Sequence, residues 1–192
     1  MSEENNPMRR AQAAMRAPLP KRFYKEATAG EADGTFAVLL DGKSAKTPAR
    51  KTLALPNKAL ALAVAAEWNA IEGEIDPAKL PLTRLANLAI DAIAAAPQPV
   101  IDEIVQYSAS DLVFYRAGEP EGLVALQNER WNPVLDWAAS KLNARFALAE
   151  GIVHVRQPDQ SLAAVREAAE KLSRPFALGA AASATNIGGS AL

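Results

Sequence analysis

The residues best suited to chemistry lie between Tyr107 and Trp137, where Tyr107, Asp111, Phe114, Tyr115, Arg116, Gln127, Trp131, Asp136 and Trp137 bring aromatic rings together with polar and charged groups. Two of the three tryptophans fall in this stretch. Trp, Tyr and Arg dominate the centres of protein–protein contacts, because rings supply apolar area and a guanidinium orients it. The chemistry this composition suits is recognition of another protein surface, with Asp111, Tyr115, Arg116, Gln127, Trp131 and Asp136 as the expected contacts. Two other readings stay open on the residues alone. In one, the aromatics form the core of a helical half and Asp111 pairs internally with Arg116. In the other, Asp111, Tyr115 and Arg116 serve a small-molecule enzyme in a cleft between two halves, a common place for pockets.

Bond-making chemistry finds little else to work with. His154 is the single histidine, and HExxH, His-x-His and EF-hand patterns are missing, so a structural histidine is expected rather than a metal ligand. A serine hydrolase would have to use the same His154, and no serine sits in a G-x-S-x-G elbow. The segment Asn186 to Ser190 is the nearest approach to a phosphate-binding glycine loop, but it lacks the lysine. Carboxylate neighbours such as Glu72 with Glu74, or Asp102 with Glu103, read as solvated faces. No cofactor is expected.

Composition narrows the partner further. With 21 basic against 22 acidic side chains, the net charge of −1 offers no global field for nucleic acid or an anionic membrane, and Lys21 to Lys25 (KRFYK) is the only basic patch with aromatics. The absence of cysteine rules out disulfides and thiol nucleophiles, and fits a reducing compartment. The start, MSEENNPMRR, lacks the basic-then-apolar order of a secretory signal, and the most apolar runs, Ala59 to Ala66 and Leu85 to Ala96, are too short to span a bilayer. At 49% hydrophobic residues the chain can bury a real core.

The elements that must position these groups follow from local signals. Residues up to about Pro20 read as a mobile arm. Arg22 to Ala27 and Thr35 to Leu40 read as strands, bounded by Gly30, Asp33 and Gly34. Asp41-Gly42 predicts a tight type I′ turn leading into a second antiparallel strand that Pro48 ends, and Thr52 to Leu55 adds a short extended segment. Asn57 is a fitting N-cap for a helix carrying Leu60, Val64, Trp68 and Ile71, with Gly73 as its stop. After a Pro-bounded connector, Leu82, Leu85, Leu88, Ala89 and Ile93 mark the apolar stripe of another helix. Helices are expected over Val100 to Ala109, over Leu123 to Leu142 with Pro133 kinking or restarting it, and from Asp159 or Ser161 to Leu172. Arg145 to Val155 reads as an extended excursion. Phe176 to Leu192 is rich in Ala, Gly and Ser and ends without a terminator, so the polypeptide is expected to continue. The organisation predicted is α+β: an arm over 1–20, a small N-terminal antiparallel sheet domain with a helix over 21–82, and a mainly helical domain over 83–192.

With these residues on the page, the sequence resembles the family of ATP synthase assembly chaperones that bind the free alpha subunit of the soluble catalytic sector. The likeness runs through Arg22-Phe23-Tyr24-Lys25, Leu40-Asp41-Gly42-Lys43 with Lys46-Thr47-Pro48, Leu53-Ala54-Leu55-Pro56, Ala66-Glu67-Trp68 and Pro81-Leu82-Thr83-Arg84-Leu85-Ala86-Asn87. It continues through Ala89-Ile90-Asp91, Ser110-Asp111-Leu112, Tyr115-Arg116-Ala117, Gln127, Trp131-Asn132-Pro133 and Asp136-Trp137, and covers roughly residues 21–192. The resemblance implies a sheet-containing first domain, a helical second one and no enzymatic activity. It also implies an alpha-subunit surface kept covered until the neighbouring beta subunit takes it. A monomer acting in a bacterial cytoplasm, or alternatively a mitochondrial matrix, is the corresponding expectation. The family continues beyond the Gly-Ser segment into an acidic helical stretch, whereas this sequence stops at Leu192.

Overall fold

Asp41 and Gly42 take φ angles of 47° and 78°, the left-handed pair that a two-residue hairpin turn needs, and Leu40 faces Lys43 across them. The computed structural model describes residues 19–32, 34–172 and 174–192, so most of the expected arm, residues 1–18, lies outside the described residues. The described chain forms two compact units: one of residues up to Ala45 together with Thr52–Arg84, the other of Lys46–Lys51 with Leu85–Leu192.

In the first unit β1 (Ala27–Ala32), β2 (Thr35–Leu40), β3 (Lys43–Ser44) and β4 (Ala54–Leu55) make an antiparallel sheet in which β2 pairs with all three others. Ala27 faces Leu40 and Ala32 faces Thr35 in β1–β2, while β3 pairs with the end of β2 and β4 with its beginning, at Phe36. The predicted strand at Arg22 to Ala27 is displaced: the ladder begins only at Ala27 and runs through Gly30 instead of stopping there. Leu39 explains the glycine, since a Cβ at Gly30 would lie 2.6 Å from Leu39 Cδ1. The residues before β1 are held by a short antiparallel bridge of Lys21 with Glu74 and by side chains. Arg22 donates through Nε to the Tyr24 carbonyl and through Nη1 to the Ile71 carbonyl, at 3.0 and 2.8 Å, and its guanidinium lies 4.7 Å from the Tyr24 ring centroid. Asp41 accepts from the backbone N–H of Glu26 and Lys25 at 2.9 and 3.0 Å.

Helix α1 (Lys58–Asn69) covers the sheet, burying Ala61, Val64 and Ala65 against Val38, Leu53 and Leu55. Asn57 caps it as predicted, its side chain accepting from Leu60 N at 2.8 Å. The helix ends at Asn69, not at Gly73. Asn69 turns its amide onto β1, accepting from Ala27 N and donating to Ala27 O at 2.8 Å each, and this tie to the sheet closes the helix early. A 3₁₀ turn at Pro77–Lys79 precedes α2 (Pro81–Leu88), whose first N–H groups are met by Glu67: its carboxylate accepts from Leu82 N at 2.6 Å and Thr83 N at 2.9 Å.

The second unit is mainly helical, as the periodicity implied. A π-helical stretch, Ala89–Ile93, follows α2 directly. Then come α3 (Gln98–Ser108), α4 (Glu121–Trp137) continued by a second π-helical stretch (Ala138–Leu142), α5 (Asp159–Lys171) and α6 (Pro175–Gly188). One finding corrects the sequence reading and another adds to it. The buried stripe of α2 and its continuation is Thr83, Ala86, Ala89 and Ile93, one position away from the leucines, so Leu85 and Leu88 are left exposed. The Ala-Gly-Ser segment after Phe176 is the helix α6, built of small residues because it packs closely: a Cβ on Gly179 would meet Ile93 Cδ1 at 3.1 Å. Helix α5 starts at Asp159, while Ser161 spends its hydroxyl on the Arg145 carbonyl at 2.5 Å. The core is Ile93, Ile101, Ile104, Val165, Ala169, Leu178 and Ala182. Lys46–Lys51 is held on this unit by Asp91, which accepts from Thr47 Oγ1 at 2.8 Å and Ala49 N at 3.1 Å. Among the described residues no helix is long and apolar enough to cross a membrane.

Two outcomes follow for the first unit. Gly30→Ala should cost about 1–2 kcal/mol in a urea midpoint measurement, because Leu39 must leave its rotamer to admit the new methyl. The N–H groups of Glu26 and Lys25 hold the Asp41 carboxyl below its ordinary range. A depressed native pKa adds stability at neutral pH that disappears as pH falls through it. The melting temperature of Asp41→Asn should therefore lie below that of the parent at neutral pH and converge with it in acid. A gap independent of pH would contradict this.

Candidate functional site

The segment carrying most of the predicted contacts begins with a buried carboxylate. Asp111 is 1% exposed, and its Oδ1 accepts from Val113 N at 3.2 Å, capping a 3₁₀ turn at Leu112–Phe114. Its Oδ2 accepts from Ser190 Oγ at 2.6 Å and Ala191 N at 2.9 Å, tying the turn to the chain that leaves α6. Phe114, fully buried, stacks on Phe146 at 4.7 Å between centroids. With both ends of the turn fixed, the chain emerges as β5 (Tyr115–Arg116), which pairs in parallel with β6 (Ala149–Glu150), Tyr115 opposite Ala149 and Arg116 opposite Glu150.

Arg116 does not pair with Asp111, contrary to the ion pair considered above. Its Nε donates to the Val113 carbonyl at 2.9 Å, and Nη1 donates to the Gln127 carbonyl at 3.3 Å and to Asn128 Oδ1 at 3.5 Å. The guanidinium lies 5.3 Å from the Trp131 ring centroid, a cation–π distance. Burial pulls its pKa below the ordinary arginine value, and Nη2 is buried without a partner. Asp111 takes its bonds from neutral donors, so the two charges are met separately: one by two backbone N–H groups and the Ser190 hydroxyl, the other by carbonyls, the Asn128 side chain and a ring.

Gln127 completes the seam between β5 and α4, its Oε1 accepting from Ala117 N at 2.8 Å. Helix α4 contains Pro133 and runs through it without restarting. Gln127 and Trp131 are half-buried on its inner side, whereas Asp136 is exposed. The structure thus brings Tyr115, Arg116, Gln127 and Trp131 together, leaves Asp136 on the outer surface of the same helix, and sets Asp111 beneath them in the core. His154 is exposed, with Nδ1 3.3 Å from the Tyr115 hydroxyl.

Sequence reasoning missed the partners of Asp111, because Ser190 and Ala191 lie 79 and 80 residues away and one of them contributes only a backbone N–H. It missed Gln157 as well. That side chain is 2% exposed and clamps the excursion before it, accepting from Ala147 N at 2.8 Å and donating to Ala147 O at 3.1 Å. The excursion itself is a strand only at Ala149–Glu150 and turns at Gly151, where φ is 78°. A separate groove of about 310 Å³ in the helical unit is lined mainly by Ile93, Pro97, Ile101, Leu172, Pro175 and Leu178. Asp111, Tyr115 and Arg116 are not among its lining residues.

The fold and this seam define a class: a mixed α+β chain of two units in which polar side chains are spent on holding elements in place. Residues 21–139 match the family model described as ATP12 chaperone protein, and the chain belongs to that family. The family is one of chaperones, not of enzymes, which removes the small-molecule enzyme reading. A curated relative, the mitochondrial protein atp12 of Schizosaccharomyces pombe, is 26% identical over 148 residues, covering 70% of this chain and 51% of the relative. The chain therefore spans about half the length of that protein. Among solved structures, the Atu1473 protein of Agrobacterium tumefaciens superposes with a TM-score of 0.80 at 46% identity, over 98% of this chain and 71% of that one. Atp12 from Paracoccus denitrificans gives 0.78 at 39% identity, over 89% and 73%.

Because Arg116 joins β5 to α4 through two carbonyls and the Trp131 ring, Arg116→Ala should lower stability by about 1–3 kcal/mol. Arg116→Lys should recover little of it, since one ammonium cannot reproduce the directions of Nε and Nη1. Tyr115→Phe should melt like the parent. Denaturant midpoints of the three variants test this, and a fully stable Arg116→Ala would refute it.

Proposed function

We propose that this chain is an assembly chaperone for ATP synthase, which binds the unassembled alpha subunit of the soluble catalytic sector and keeps it from aggregating. Membership of the ATP12 chaperone family across residues 21–139 is the observation that carries this reading. The surface of α4 supports it. The helix has no fully buried residue, and Leu123, Leu126 and Trp137 are 42, 50 and 47% exposed. Together with Arg130 and Pro133 they recur at three- and four-residue spacing and so share one helical face. An apolar stripe of this kind suits a partner surface that is itself awaiting burial. In this reading Tyr115, Trp131 and Asp136 contact the client, Gln127 and Arg116 hold them in place, and Asp111 fixes the turn from which they emerge. The chaperone acts as a monomer, in a bacterial cytoplasm or a mitochondrial matrix, and takes no nucleotide.

The purified chain should suppress light scattering by isolated alpha subunit at a near-equal molar ratio, and equally with and without ATP. Suppression that requires ATP, or no suppression at all, would overturn the proposal.

A further inference from the structure

The most exposed aliphatic side chains near β5 and β6 belong to neither α4 nor the predicted contacts. Ile152 and Val153, just beyond β6, are 96 and 74% exposed. Two consecutive β-branched side chains this open to water form a small apolar tip whose burial by a partner is favourable. They are also held on both sides. Immediately before them Gly151 turns the chain at φ 78° and donates its N–H to the Arg116 carbonyl at 2.9 Å; immediately after them His154 meets the Tyr115 hydroxyl at 3.3 Å. The tip is thus a fixed projection, and a fixed projection loses little conformational freedom on binding.

The charge around the tip narrows what it can meet. Glu150 lies against Gly118, in the space a Cβ there would take, and Glu119 and Glu121 follow in sequence, all three acids exposed. The nearby cations are already engaged: Arg116 is turned inward onto carbonyls, and Arg156 is paired with Asp159 at 3.2 Å. An apolar tip with an acidic rim is complementary to an apolar recess bordered by Lys or Arg, and is repelled by an anionic lipid surface.

We infer that Ile152 and Val153 form the docking point for the client protein, inserting into an apolar recess whose rim is basic. The inference rests on the chaperone reading above and adds to it the residues that anchor the client and the chemistry of the client's surface.

The test uses the whole chain and purified ATP synthase alpha subunit. The double variant Ile152→Ser/Val153→Ser should keep the parent melting temperature while its affinity for alpha subunit falls about tenfold, the scale of losing central anchors. Glu119→Gln/Glu121→Gln should bind more weakly than the parent at low salt and show a shallower salt dependence. A parent that retains the alpha subunit while the serine variant retains it equally well overturns the docking point alone; a parent that does not retain it overturns the chaperone reading, and the docking point with it. Vesicles containing phosphatidylserine that bind the parent but not the serine variant would assign the tip to a membrane, and a concentration-dependent dimer lost in that variant would assign it to a second copy. Either result overturns the inference.

Discussion

Four carboxylates in this protein satisfy backbone N–H groups far from them in sequence, and the internal arrangement of each unit depends on them. Asp41 receives Lys25 and Glu26, Glu67 receives Leu82 and Thr83, Asp91 receives Ala49, and Asp111 receives Val113 and Ala191. Each brings together segments that the chain separates by at least a turn and in one case by 80 residues. A charged acceptor bonded to main-chain donors is about twice as strong as a neutral pair. It also leaves the donors' side chains free to vary. Asp111 is the extreme case: fully enclosed, it holds the start of the β5 segment and the exit from α6 with one side chain, and Tyr115 and Arg116 are aimed by the turn it caps.

This explains what was legible in the sequence and what was not. The Asp41-Gly42 hairpin and the Asn57 cap were read correctly because the residue that causes the geometry is the residue that shows it, within three or four positions. The carboxylate contacts have no such signature, since an N–H donor belongs to every residue but proline. Hence Asp111 suggested the nearest cation, Arg116, although two of its three donors, Ser190 and Ala191, lie 79 and 80 residues away. Helix α6 falls within the stretch read as mainly helical, but the purpose of its small residues is visible only where Gly179 meets Ile93.

The leucines beyond Pro81 teach the reverse lesson. Ala89 and Ile93 of the predicted stripe are buried, but Leu85 and Leu88, which share the helical spacing, are exposed, and Thr83 and Ala86 take the inner positions beside them. Thr83 enters that face because Glu67 and Trp68 both bond its hydroxyl, at 2.9 and 3.0 Å. A polar residue with satisfied bonds can displace a larger apolar one from the interior. Hydrophobic periodicity finds a helix reliably and chooses its inner face less well when a neighbour offers a polar partner.

Helix α4 has a consequence for motion. Seventeen residues long, it lacks a fully buried side chain and is fastened mainly at Arg116, Gln127 and Trp131. Its opening therefore exposes little new apolar surface, and its free energy lies well below that of unfolding the unit as a whole. Amide hydrogens along α4 are therefore expected to exchange sooner than those of α3, α5 and α6, which surround the core at Ile93 and Leu178. The helix that presents the exposed leucines is in this sense the one least anchored in the core of its unit.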